Sequence, residues 1–87
     1  MKQLKRIAYS REAIRTLRKL PANTAERIRA KMRQYATAPE SLAGNVKTLK
    51  GERGRLRLRV GNRRVIFSED GEVITIIRVA PRGRAHD

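Results

Sequence analysis

Arginine is the residue with the most chemistry to offer here: from Arg53 to Arg64 the chain reads RGRLRLRVGNRR, with no Asp or Glu in the run. A guanidinium stays protonated at any physiological pH and presents paired N–H donors that match a phosphate or carboxylate. It can hold an anion and stabilise negative charge that develops in a transition state, but it does not readily move protons. Proton transfer near neutrality suits histidine, and the chain has one, His86. Glu52 lies beside the arginine run and offers a carboxylate, on proximity in sequence alone. Cysteine is absent, which removes a thiolate nucleophile, a disulfide framework and a thiolate metal site; with a single histidine, neither a metal centre nor a cofactor is expected.

The elements that must position these groups follow from the periodicity. Leu4, Ile7, Ala8 and Tyr9 among basic residues suit a short edge strand over residues 2 to 9. Ser10 offers an N-cap to a first helix, in which Ala13, Ile14, Leu17 and Leu20 recur at helical spacing up to Pro21. Asn23 and Glu26 have the spacing of a capping box, and Ile28, Met32 and Tyr35 share one face of a second helix that runs to about Ala38. Pro39 stops it, and the stretch to Gly44 reads as a loop.

Beyond Val46 the period changes to two. Leu56, Leu58 and Val60 alternate with Arg55, Arg57 and Arg59, the pattern of a strand with one core face and one cationic face. Gly61-Asn62 is a hairpin turn with Gly at the first position of type II′, and Arg63 to Ser68 forms the return strand, with Val65 and Phe67 inward. That parity brings Arg64 into the arginine row. Asp70-Gly71 makes a second turn, Glu72 to Ala80 reads as a central strand, and Pro81 to Asp87 form a basic tail. The expected fold is α+β: an N-terminal strand, a two-helix hairpin and a three-strand antiparallel meander, with the helices on one face of the sheet and residues 1–87 in a single domain.

Whole-chain charge agrees with the local pattern. Twenty-two Lys and Arg against eight Asp and Glu give a net charge of +14 on 87 residues, a self-repulsion that a polyanion or an acidic partner would relieve. Like charges side by side across a hairpin are destabilising unless an anion sits among them. Three aromatic residues, with Tyr35 and Phe67 at core positions, leave too few rings for a base-stacking platform. No apolar run approaches the ~18–20 residues of a membrane span, and the N-terminus lacks a secretory apolar stretch, so a cytoplasmic protein without membrane attachment is expected.

Four segments, in order, resemble the RelE/ParE superfamily of bacterial toxins, and most closely its RelE-like ribosome-dependent mRNA endonucleases. They are AIRTLRKLP at Ala13 to Pro21, LKG at Leu49 to Gly51, RLRVGNRRVIF at Arg57 to Phe67, and VAPRGRAHD at Val79 to Asp87. The resemblance implies a toxin of a type II toxin–antitoxin pair that cuts mRNA in the ribosomal A site without a metal, and so inhibits translation. It implies a cognate antitoxin that wraps the toxin with an amphipathic helix, and a toxin–antitoxin heterotetramer is compatible with it; the strong positive charge suits an acidic partner of this kind.

By the same resemblance Arg57, Arg64, Arg82 and His86 match the catalytic set, with the arginines on phosphate and His86 as acid or base. Arg55 matches a second basic strand position. Lys47, Lys50, Arg55, Arg59 and Arg63 are assigned to the RNA backbone. The chain departs from the family at Arg63, where an aromatic is usual, and at its end, where His86 and Asp87 replace a usual tyrosine. Two other readings stay open: a ParE-like inhibitor of DNA gyrase, and an RNA- or ribosome-binding module without turnover.

Overall fold

A computed structural model describes residues 5–81. One five-stranded sheet organises them, in the order β1-β5-β4-β3-β2. Its strands are β1 (Arg6–Tyr9), β2 (Val46–Thr48), β3 (Leu56–Val60), β4 (Arg63–Glu69) and β5 (Val73–Pro81). β1 runs parallel to β5 at one edge, and every other pairing is antiparallel. Helices α1 (Arg11–Lys19) and α2 (Ala22–Thr37) follow β1, lead the chain from that edge toward β2 at the opposite edge, and cover one face. α1 packs on β5, and α2 on β1 and β3.

The expected α+β layers are present, and the departures from the sequence reading are local. A third antiparallel pairing, β2 with β3, extends the meander to four strands; three residues are too short a run to announce a strand by alternation. Pro39–Asn45, read as loop, winds into a 3₁₀ helix that buries Leu42. The Asn23–Glu26 capping box is not formed. α2 starts directly after Pro21, whose carbonyl accepts from the Thr24 and Ala25 amides, and Glu26 instead accepts from Arg33 at 2.8 Å. Ser10 does cap α1, accepting from the Ala13 amide at 3.0 Å. Ile14, placed on the apolar stripe of α1, is 40% exposed.

The core lies between helices and sheet. Ile28 and Met32 of α2 meet Leu58, Val65, Phe67, Ile74 and Ile76 of the strands, all fully buried. Tyr35 meets Phe67 edge to face, ring centroids 5.1 Å apart. β5 carries a bulge: Ile66 pairs with Arg78 but Phe67 pairs with Ile76, so Ile77 is an extra residue. The Ile77 carbonyl accepts the Ser10 hydroxyl at 2.5 Å, tying the cap of α1 to the bulge. The bulge also shifts side-chain parity, so that Ile74, Ile76 and Val79 all enter the helix-side core although they do not alternate.

Candidate functional site: a cationic groove on the open face of the sheet

Strand parity builds the site. With Leu58 and Val65 committed to the helix-side core, their neighbours turn to the other face. The register sets Lys47, Arg57, Ile66 and Arg78 in one row across four strands, and Arg59 beside Arg64 in the next. Lys47, Thr48, Lys50, Arg57, Arg59 and Arg64 line a groove of about 390 Å³, and among the described residues no acidic side chain joins that lining.

Arg57 stands apart within it. On sequence grounds it belongs to an open face, yet it is only 6% exposed, the one buried charged side chain among the described residues. Arg59 is exposed and Arg64 half-buried. Burial, reinforced by the charges of Arg64 and Arg59, pulls the Arg57 guanidinium below the ordinary arginine range. It remains a cation at neutral pH, but one whose charge is poorly solvated and crowded by like charges. An anion in the groove would reverse both penalties at once.

The loop between β2 and β3 carries Lys50 to the groove. Buried Leu49 anchors it, and Gly51 and Gly54 turn it with φ of 81° and 76°. Glu52 pins the loop to the sheet through a two-pronged pair with Arg78, at 2.6 and 3.1 Å. Those hydrogen bonds hold the Glu52 carboxyl below its usual range, and the charges of Arg78 and Arg55 reinforce them. A carboxylate so held is a weak base, and its evident work is to fix the loop.

Of the residues expected at the site, Lys47, Lys50, Arg57, Arg59 and Arg64 come together. Arg55 precedes β3 and stays outside the groove lining; its amide donates to the Glu52 carbonyl at 3.1 Å. Arg63 shares the parity of Val65 and Phe67 and lies at the rim of the helix side, with Thr24, Arg27 and Val60 around it. Arg82 and His86 lie outside the described residues. Arg78 was missed by sequence reasoning, because strict alternation from Ile74 and Ile76 would point it into the core, and only the bulge at Ile77 sets it on the open face. Among the described residues no three His, Cys, Asp or Glu side chains are grouped to hold a metal ion, and no helix is long and apolar enough to cross a membrane.

Comparison with known proteins adds a family. The family model described as the ParE toxin of the type II toxin–antitoxin system parDE matches residues 7–86. Among solved structures the chain is similar to the archaeal RelE–RelB complex of Pyrococcus horikoshii OT3. The identity there is 28%, with a TM-score of 0.77 and coverage of 94% of this chain and 99% of that one. The E. coli RelBE toxin–antitoxin complex shares the fold at 18% identity and TM-score 0.71, covering 92% and 99% of the two chains. A YoeB/ParE toxin from Agrobacterium tumefaciens does so at 17% and 0.70, covering 88% and 98%. No curated protein sequence matches the chain.

Proposed function

The chain belongs to the ParE toxin family of type II toxin–antitoxin systems, within the RelE/ParE superfamily, and from that membership we propose that it is a RelE-like endoribonuclease cutting mRNA in the ribosomal A site. The observation that carries this reading is the groove around Arg57: a buried guanidinium flanked by Arg59, Arg64, Lys47 and Lys50, with no carboxylate in the lining among the described residues. Such a site is built for a phosphodiester, and similarity to an archaeal RelE at 28% identity supports the same direction.

The reaction it suits is attack of a ribose 2′-OH on its own 3′ phosphate. The new O–P bond closes a 2′,3′-cyclic phosphate and the bond to the 5′ oxygen breaks, releasing a 5′-OH. Arg57 and Arg64 stabilise the extra negative charge of the phosphorane, and Lys47, Lys50 and Arg59 hold the backbone on either side. A proton must leave the 2′-OH and another must reach the 5′ oxygen; His86 is the side chain suited to that exchange, and Arg82 joins the phosphate contacts. A site short of acids and bases gains most from a substrate oriented by a second machine, which is the part given to the ribosome in the cytoplasm. A cognate antitoxin holds the toxin inactive, as RelB accompanies RelE in the similar complexes.

A second reading is favoured by the name of the matching family: a ParE-like protein that inhibits DNA gyrase without cutting RNA. Two assays on the antitoxin-free protein separate them. The nuclease yields fragments whose 5′-OH ends accept a kinase-delivered phosphate without prior dephosphorylation, and leaves gyrase supercoiling intact. The gyrase inhibitor does the reverse, and a binding module does neither.

A further inference from the structure

The groove does not stop at the open face. Arg59 and Arg64 also line a second recess, of about 110 Å³, at the tip of the β3–β4 hairpin, together with Gly61, Asn62 and Arg63. Gly61, Asn62 and Arg63 in turn line a third, of about 170 Å³, on the helix side, closed by Thr24, Arg27, Ile28 and Val60. Each recess shares residues with the next, and among the described residues none has an Asp or Glu in its lining. Arg27 reaches back to the turn: a Cβ added to Gly61 would lie 3.5 Å from its Nη1. Among the described residues neither Arg27 nor Arg63 has an acidic partner within ion-pair distance.

We infer that Arg27 and Arg63 form a second phosphate site, and that a polyribonucleotide backbone leaves the groove past Arg59 and Arg64, crosses the hairpin tip and comes down on the helix side. The inference rests on the RNA reading above and deepens it by giving the strand a path. A backbone, rather than an acidic protein segment, is favoured by the continuity of the three recesses. The charges follow one line around the turn, and among the described residues no exposed ring or apolar patch beside that line would anchor a helix or read a base. Contacts of this kind are sequence-independent and add to the salt dependence of binding.

The test is the salt slope of binding for 2′-O-methyl RNA, which cannot be cleaved because its nucleophile is blocked. Strands of roughly 4 nucleotides fit the groove alone, and strands of roughly 12 reach beyond it. Wild-type protein is compared with the double variant Arg27→Gln/Arg63→Gln and the charge-retaining Arg27→Lys/Arg63→Lys by fluorescence anisotropy. For the long strand the Gln variant should lose about tenfold in affinity, with a slope shallower by about 1.4, two contacts at about 0.7 each on a single strand. The short strand should be unaffected, and the Lys variant should keep the wild-type slope.

An unchanged slope for the long strand overturns the inference, as does an equal loss for both lengths, which would mean that the variant disturbs the groove itself. An unchanged RNA slope with weakened capture of the antitoxin would give the patch to the protein partner, against the inference. Failure of the wild-type protein to bind either strand at low salt would also overturn the inference, whereas the RNA reading itself falls only if cleavage on ribosomes is absent.

Discussion

Arg57 is a buried cation among cations, and its environment sets what substitution should do. Arg57→Gln removes the charge while keeping a similar stem, so single-turnover cleavage should fall by about 10²–10³, the usual loss of one preorganised transition-state donor. Arg57→Lys should fall less, since charge survives but the planar fork does not. Wild-type rates from either variant would detach chemistry from this position. Glu69 makes a separate prediction about stability. Burial alone would raise its carboxyl pKa, but hydrogen bonds from Lys5, at 2.7 Å, and from the Tyr35 hydroxyl outweigh burial and hold it below the usual range. Because the folded-state value is depressed, this stabilisation is present above the unfolded carboxyl range and is lost as pH falls through the folded value. Melting temperature should therefore drop below about pH 4 more steeply for wild type than for Glu69→Gln, and parallel acid profiles would remove Glu69 from the account.

At the scale of elements, the hairpin and the Ser10 cap hold the site in register. Gly61 has φ of 59° while Asn62 is not left-handed, the type II′ arrangement expected from the sequence. Gly61→Ala should cost at least about 1 kcal/mol, a fall of roughly 4–8 °C in Tm, measured by thermal or urea unfolding; no loss would mean that the turn can change type freely. Ser10→Ala removes both the cap and the donor to the Ile77 carbonyl, for an expected loss of about 1–2 kcal/mol in the same assay. A loss well below about 0.5 kcal/mol would show that water replaces the hydroxyl at both ends. These are also the elements that show where the sequence was legible. Three alternating apolar residues at Leu56, Leu58 and Val60 were enough to assign faces, and with them Arg57, Arg59 and Arg64. The same parity, carried to Arg63 through Val65 and Phe67, would have set that residue on the helix side. β2 was hidden by its length, the Arg78–Glu52 pair by a separation of 26 positions in sequence, and the face of Arg78 by a bulge that leaves no mark in composition.

For the molecule as a whole, a net charge of +14, part of it gathered on one groove and one hairpin tip, predicts binding that is tight at low salt and weak at high salt for any RNA. Affinity alone is therefore a poor guide to function, and the discriminating property is where cutting occurs. The most direct measurement is to incubate antitoxin-free protein with one mRNA, free and on programmed ribosomes, and to map new 5′ ends by primer extension. Discrete cuts at the A-site codon, seen only with ribosomes, are the predicted result. No cuts in either sample, at concentrations where the protein arrests growth, would contradict the account.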